Sequence, residues 1–123
     1  MIEEKNLSRM INVFKRLNMI PRIPEPLENL IDEKRRKYWI EHKNAMIYTV
    51  LSKNGMLQVD IFLTYPIDFN GLKKNADDFM IDGYNISVSS KADLIKAKES
   101  IIPLRQKDKE DIKKLKELIK NGY

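Results

Sequence analysis

Cysteine is absent from the 123 residues of this chain. Without a thiol the chain cannot form disulfides, thiolate metal sites or cysteine nucleophiles, which excludes redox chemistry by the protein itself. His42 is the only histidine, so a multi-histidine metal site is excluded too, and its simplest reading is a polar residue near a helix end. The lack of cysteine suits a reducing, cytoplasmic environment.

Long apolar runs are also missing. No segment approaches the roughly 20 consecutive apolar residues of a membrane helix. The N-terminal "MIEEKNLSRM" has acids where a signal peptide would have a basic region. We therefore expect a soluble, intracellular protein with no membrane association. A chain of this length fits a single domain over residues 1 to 123.

The net charge of +5 comes from 23 lysines and arginines against 18 acids. Such an excess suits a polyanionic partner or a phosphate-bearing substrate, but solvated lysines with no binding role give the same value and are the commoner case. The basic residues of the C-terminal tail alternate with acids at helical spacing, which argues against a nucleic-acid stripe. Tyr38 and Trp39, beside basic residues, could stack on a base or simply anchor a helix to the core.

The apolar spacing predicts helices over residues 6 to 18, 27 to 41 and 107 to 121, the last closed by Gly122. A further helix begins at Ser90, because Asp93 follows it at the spacing of a capping box. "YPIDFNGLKKNADDF" reads as a turn and a short helix.

Two strands, residues 45 to 52 and 56 to 63, are predicted to pair around "KNGM", whose Asn-Gly pair favours a type I′ turn. A smaller hairpin is predicted around Asp82 and Gly83. Helices and short strands together indicate an α/β protein, more narrowly α+β, with a mixed sheet and helices packed on one side of it.

Asp60 stands in the middle of the second strand. The period of two places it with Gln58 and Phe62, opposite the apolar face formed by Leu57, Val59, Ile61 and Leu63. A mid-strand aspartate is unfavourable by propensity and has no apolar surface to pack. It therefore indicates either a solvated face beside Gln58 or a functional carboxylate.

Four segments in order resemble the minimal, DNA polymerase β-like nucleotidyltransferases over nearly the whole chain. They are "LNMIPRIPEPLENLIDEKRRKYWIEHKNAMIYTV", "VDIFLTYPIDFNGL", "IDGYNISVSSKADLIKAKE" and "RQKDKEDI". The resemblance implies transfer of a nucleoside monophosphate from an NTP to an unknown acceptor, which could be a tRNA, a protein or a small molecule.

The resemblance also implies roles for particular residues. Asp60 matches the family's third catalytic carboxylate, a ligand of Mg²⁺ that faces the triphosphate. Lys43 belongs to the family's Lys-Asn pair, whereas Lys98, Arg105 and Asp108 match its C-terminal pattern, where the basic residues approach phosphates. Two extra residues lie between Lys98 and Arg105 here, and an ion-pair cluster at a helix end, which also includes Asp111, is an equally good explanation.

The family's Gly-Ser turn and Asp-x-Asp strand have no counterpart in this sequence. Two-metal transfer needs several oxygen ligands in fixed geometry, which a lone carboxylate cannot supply, so we expect no nucleotidyl transfer by the 123 residues alone. Met1 and Ile2 read as the end of that strand, which suggests either a reading frame whose true start lies upstream of Met1 or a domain that is genuinely truncated at its N-terminus. The strand bearing Asp60 would then have an open edge, which a second copy or a partner chain could cover.

Two functions remain. The chain is a nucleotidyltransferase whose catalytic strand is supplied from elsewhere, or it is an inactive remnant acting as a binding module, as in toxin-antitoxin pairs.

Overall fold

The computed structural model describes residues 3–123 and divides them into two compact units, the first ending at Tyr65 and the second starting at Pro66. The α+β class is confirmed, because five α-helices and a short 3₁₀ helix accompany five strands in this part of the chain. The strands form two antiparallel sheets where one mixed sheet was expected. Met1 and Ile2, interpreted above as the end of a further strand, lie outside the described residues.

The first unit contains two α-helices, a 3₁₀ helix and a three-stranded sheet of order β1-β2-β3. Its elements are α1 (Glu4–Arg16), β1 (Ile20–Pro21), the 3₁₀ helix (Leu27–Ile31), α2 (Glu33–Lys43), β2 (Ile47–Leu51) and β3 (Gln58–Phe62). The helix expected over residues 27 to 41 is interrupted at Asp32, whose side chain accepts hydrogen bonds from Lys34 N and Arg35 N and so begins α2.

The core of the first unit lies on one face of this sheet, and the helices cover that face alone. Tyr48 and Val50 of β2 are buried there, next to partly buried Val59 and Ile61 of β3. The cluster is Ile11, Phe14, Met19, Leu27, Leu30, Trp39, Tyr48, Val50 and Leu63. The prediction that helices pack on one side of the sheet holds within this unit.

Tyr48 ties the sheet to the segment before the 3₁₀ helix. Its hydroxyl donates to the backbone oxygen of Glu25 at 2.5 Å, and its ring stacks on Trp39 with 5.8 Å between centroids. Burial, with a smaller contribution from the negative charges of Glu25 and Glu28, raises the pKa of Tyr48 to about 12. Trp39 is thus an anchor of helix α2, whereas Tyr38 beside it is exposed.

The predicted antiparallel hairpin β2–β3 is confirmed, but its type I′ turn is wrong. A type I′ turn needs positive φ at both central residues, and in this loop only Gly55 has one, at 71°. The loop instead makes a β-turn closed by Gly55 N donating to Ser52 O at 2.9 Å. Asn54 Oδ1 accepts from Ser52 Oγ and from Met56 N, and these two bonds stabilise the longer loop.

The second unit consists of a short helix, a β-hairpin and a pair of helices. Its elements are α3 (Phe69–Asn75), β4 (Asp77–Ile81), β5 (Tyr84–Val88), α4 (Lys91–Glu99) and α5 (Gln106–Lys120). Asp82 and Gly83 both have positive φ, as the predicted turn between β4 and β5 requires. Ser90 Oγ accepts from Asp93 N at 3.1 Å, which confirms the predicted helix start.

Helices α4 and α5 pack on each other, and their buried apolar residues are Ile95 and Ala97 of α4 and Ile112 of α5. The end of α5 is as expected, because Gly122 has positive φ and Tyr123 N donates back to Leu118 O. Within residues 3–123, no helix combines the length and the apolar character that crossing a bilayer requires.

Candidate functional site

Asp60 lies at the centre of the uncovered face of the three-stranded sheet. Its partner across the hairpin is Thr49, whose Oγ1 donates to Asp60 Oδ1 at 2.7 Å. Gln58 Nε2 donates to the same oxygen at 3.1 Å. The carboxylate is exposed, yet two neighbours fix the orientation of one of its oxygens.

Arg22, the residue that follows β1, extends this row. Its backbone N donates to Thr49 O at 3.0 Å, and its Nη2 donates to Gln58 Oε1 at 2.6 Å. Arg22, Gln58, Asp60 and Thr49 therefore form one chain of hydrogen bonds across the open face. No pattern in the sequence singles out Arg22, because its position depends on the pairing of β1 with β2, in which Ile20 lies opposite Leu51.

The open edge of β3 is the second feature of this site. In the described residues β3 is an outer strand of the sheet and pairs with β2 alone. Ser52 N donates to Leu57 O and Leu63 N donates to Met46 O, so the residues of β3 that bond to β2 are Val59 and Ile61. The backbone N–H and C=O of Asp60, between them, therefore point away from β2 towards the open edge.

This alternation predicts the rates of amide hydrogen exchange along β3. We expect the amides of Val59 and Ile61 to be protected and those of Gln58, Asp60 and Phe62 to exchange quickly, because only the former bond to β2. The measurement is exchange followed by NMR on dilute protein. Slow exchange at Asp60 would mean that another strand already pairs with β3.

The other predicted site residues divide between the two units. Lys43 ends helix α2 in the first unit, where it is exposed, and no hydrogen bond or ion pair joins it to Asp60 in the described chain. Lys98, Arg105 and Asp108 belong to the second unit, and the structure brings those three together with Asp111.

Asp108 is the centre of that second group. Its side chain is only 1% exposed. Arg105 donates two hydrogen bonds to it, from Nε to Oδ2 at 2.8 Å and from Nη2 to Oδ1 at 3.2 Å. Lys98 Nζ lies 3.8 Å from Asp108 Oδ1 and 3.0 Å from Asp111 Oδ2. The hydrogen bonds from Arg105 lower the pKa of Asp108 and raise that of Arg105 itself. Two cations and two anions thus neutralise one another.

Magnesium does not fit the residues described. In residues 3–123, no three histidine, aspartate or glutamate side chains come together as a metal site would require. Asp60 offers one carboxylate, half of it engaged by Thr49 and Gln58, whereas two-metal transfer needs several carboxylate oxygens in fixed geometry. Both carboxylate oxygens of Asp108 already accept hydrogen bonds from Arg105. The described residues therefore make an oriented carboxylate and an ion-pair cluster, without a metal centre.

Comparison with known proteins identifies no relative: no family model, no curated protein and no solved structure matches the chain.

Proposed function

We propose that this chain is a nucleotidyltransferase-like protein of the cytoplasm whose described residues act as a partner-binding module. The observation that supports this function is the outward-pointing backbone of Asp60 on the open edge of β3. An edge strand with free N–H and C=O groups can accept an extended segment of another polypeptide, and the main-chain hydrogen bonds then supply affinity. The face beside that edge carries Arg22, Thr49 and Asp60, which can select the side chains of the added strand.

Nucleotidyl transfer is the second candidate, and the position of Asp60 favours it. A strand added along β3 would place alternate side chains on the same face as Asp60, about 5 Å away. A strand carrying two carboxylates there would complete a group able to bind Mg²⁺ and an NTP, with an acceptor still to be identified. The residues that the structure describes lack those carboxylates, so we assign transfer only to such an assembly.

Binding of NTP by the chain alone separates the two functions. We expect no Mg²⁺-dependent binding of ATP or GTP in calorimetric titrations, because among residues 3–123 Asp60 is the only carboxylate of the strands β2 and β3 that faces the open side of the sheet. Asp60→Asn and Asp78→Asn serve as matched variants, since each aspartate accepts from a hydroxyl across a hairpin, Thr49 at 2.7 Å or Ser87 at 2.6 Å. Micromolar binding that Asp60→Asn abolishes and Asp78→Asn retains would contradict the module and support the enzyme.

The edge itself is tested with a short synthetic strand that carries an Asp-x-Asp between apolar residues. In NMR titrations the amides of Gln58, Asp60 and Phe62 should shift and become protected, and Gln58→Pro, which removes one outward N–H, should weaken the effect. Appearance of Mg²⁺-dependent NTP binding only with the peptide, and its loss in Asp60→Asn, would support transfer by an assembly. A peptide that leaves the β3 amides unchanged would contradict strand addition.

A further inference from the structure

The hairpin β4–β5 of the second unit has one face that is apolar except at its end. Its register pairs Phe79 with Ile86, Ile81 with Tyr84 and Asp77 with Val88. Because side chains alternate along each strand, five apolar residues share a face with a single charge at its end. We call this set the apolar hairpin face: Phe79, Ile81, Tyr84, Ile86 and Val88.

The residues of this face are all exposed, Phe79 to 52% and Tyr84 to 74%. The opposite face is suited to water, since Ser87 Oγ donates to Asp78 Oδ1 at 2.6 Å beside Asn85. A half-apolar strand pair of this kind normally packs its apolar face on another layer, and an isolated two-stranded hairpin is only marginally stable in water. The apolar hairpin face is therefore the surface of this unit that most needs a cover.

The size of the face indicates what can cover it. With the exposed fractions of its five side chains, the face presents about 500 Å² to solvent, towards the upper end of the roughly 300–600 Å² of the largest apolar patch on a typical monomer, which is often a functional surface. Two such faces packed together would bury on the order of 1,000 Å², the lower bound of a specific interface.

The chemistry of the face favours an identical partner. Recognition of a different protein normally uses complementary charges, and the apolar hairpin face offers none apart from Asp77 at its rim. Phe79 and Ile86 form its centre, where a twofold axis would place each against its own copy. We propose that the protein forms a homodimer in which the apolar hairpin faces of two copies pack against each other.

The test is the oligomeric state of the whole chain, measured by sedimentation over a range of concentrations. We expect a dimer at micromolar concentration. Phe79→Lys should weaken it at least roughly a hundredfold, because a lysine at the centre would be buried without a partner. Met80→Lys is the matched control, since Met80 is the next residue of the same strand, is 69% exposed and points to the opposite face. Far-UV circular dichroism verifies that both variants fold.

The absence of cysteine allows a second, independent measurement. Under mild oxidation Ile86→Cys should give a disulfide-linked dimer, whereas Met80→Cys should not. A monomeric wild-type chain, or a dimer equally insensitive to Phe79→Lys and Met80→Lys, would overturn the proposal. A dimer lost in Gln58→Pro and kept in Phe79→Lys would also overturn it and would place the contact on the β3 edge.

Discussion

Replacing Leu30 with alanine is expected to lower the free energy of unfolding of the first unit by about 3 kcal/mol. Leu30 has no solvent-exposed surface and lies in the middle of the core cluster. Its backbone oxygen also accepts a hydrogen bond from the buried Arg36 guanidinium, which links the 3₁₀ helix to α2. The core cannot easily collapse around a lost isobutyl group at such a position, so a cavity should remain.

Urea denaturation followed by tryptophan fluorescence measures this effect. Trp39 is the only tryptophan and is buried in the same cluster, so its emission reports on the first unit. Leu57→Ala is the control with identical chemistry at an exposed position, and it should change stability by less than about 0.5 kcal/mol. Equal losses for the two variants would show that Leu30 is not packed as described.

Asp108→Asn is expected to destabilise the second unit at neutral pH and to reduce the loss of stability of this unit in acid. The hydrogen bonds from Arg105 lower the pKa of Asp108 below its ordinary value of 3.8. A group with a lowered folded pKa contributes stability that is present above the unfolded pKa and is lost as pH falls through the folded one. The wild-type unit should therefore weaken below about pH 4, and Asp108→Asn should not show this contribution.

Asp111→Asn is the matched control for that variant, because Asp111 shares Lys98 with Asp108 but is one-third exposed and is not bonded to Arg105. Amide exchange in α4 and α5, measured at several pH values, gives the local stability without interference from the first unit. If Asp111→Asn changed the acid dependence as much as Asp108→Asn, the role assigned to the Arg105 pair would be wrong.

Local sequence signals predicted the elements whose determinants lie within a few residues of one another. Ser90 and Asp93 gave the start of α4, and Asp82 with Gly83 gave the turn of the second hairpin. The period of two correctly placed Asp60 on the uncovered face. Asn54 misled the turn assignment because its side chain bonds within the loop, an interaction that a dipeptide rule does not include.

Features that depend on distant pairing were not predictable. Arg22 joins the Asp60 row only because β1 adds to β2, across a long stretch of intervening chain. The predicted helix over residues 27 to 41 is divided at Asp32, because the Asp32 side chain caps a new helix there. The spacing of apolar residues is the same for one continuous helix and for two shorter ones, so it does not predict this division. Lys98, Arg105 and Asp108 were identified together from the sequence. The near-complete burial of Asp108 within this ion-pair cluster could not be predicted, because it depends on the packing of α4 on α5.

The order of chain closure in the two units has a kinetic consequence. The pairs β4–β5 and α4–α5 each join segments that are neighbours along the chain, so they close short loops, and a β-hairpin of this kind forms in about 1–10 μs. Formation of the sheet of the first unit must bring Ile20 next to Leu51. This closes a much longer loop, so the entropic cost of closure is larger. The apolar hairpin face, with Phe79 and Ile86 at its centre, is therefore exposed early in folding, while the first unit is still unfolded. Refolding at high protein concentration then sets dimer formation in competition with aggregation.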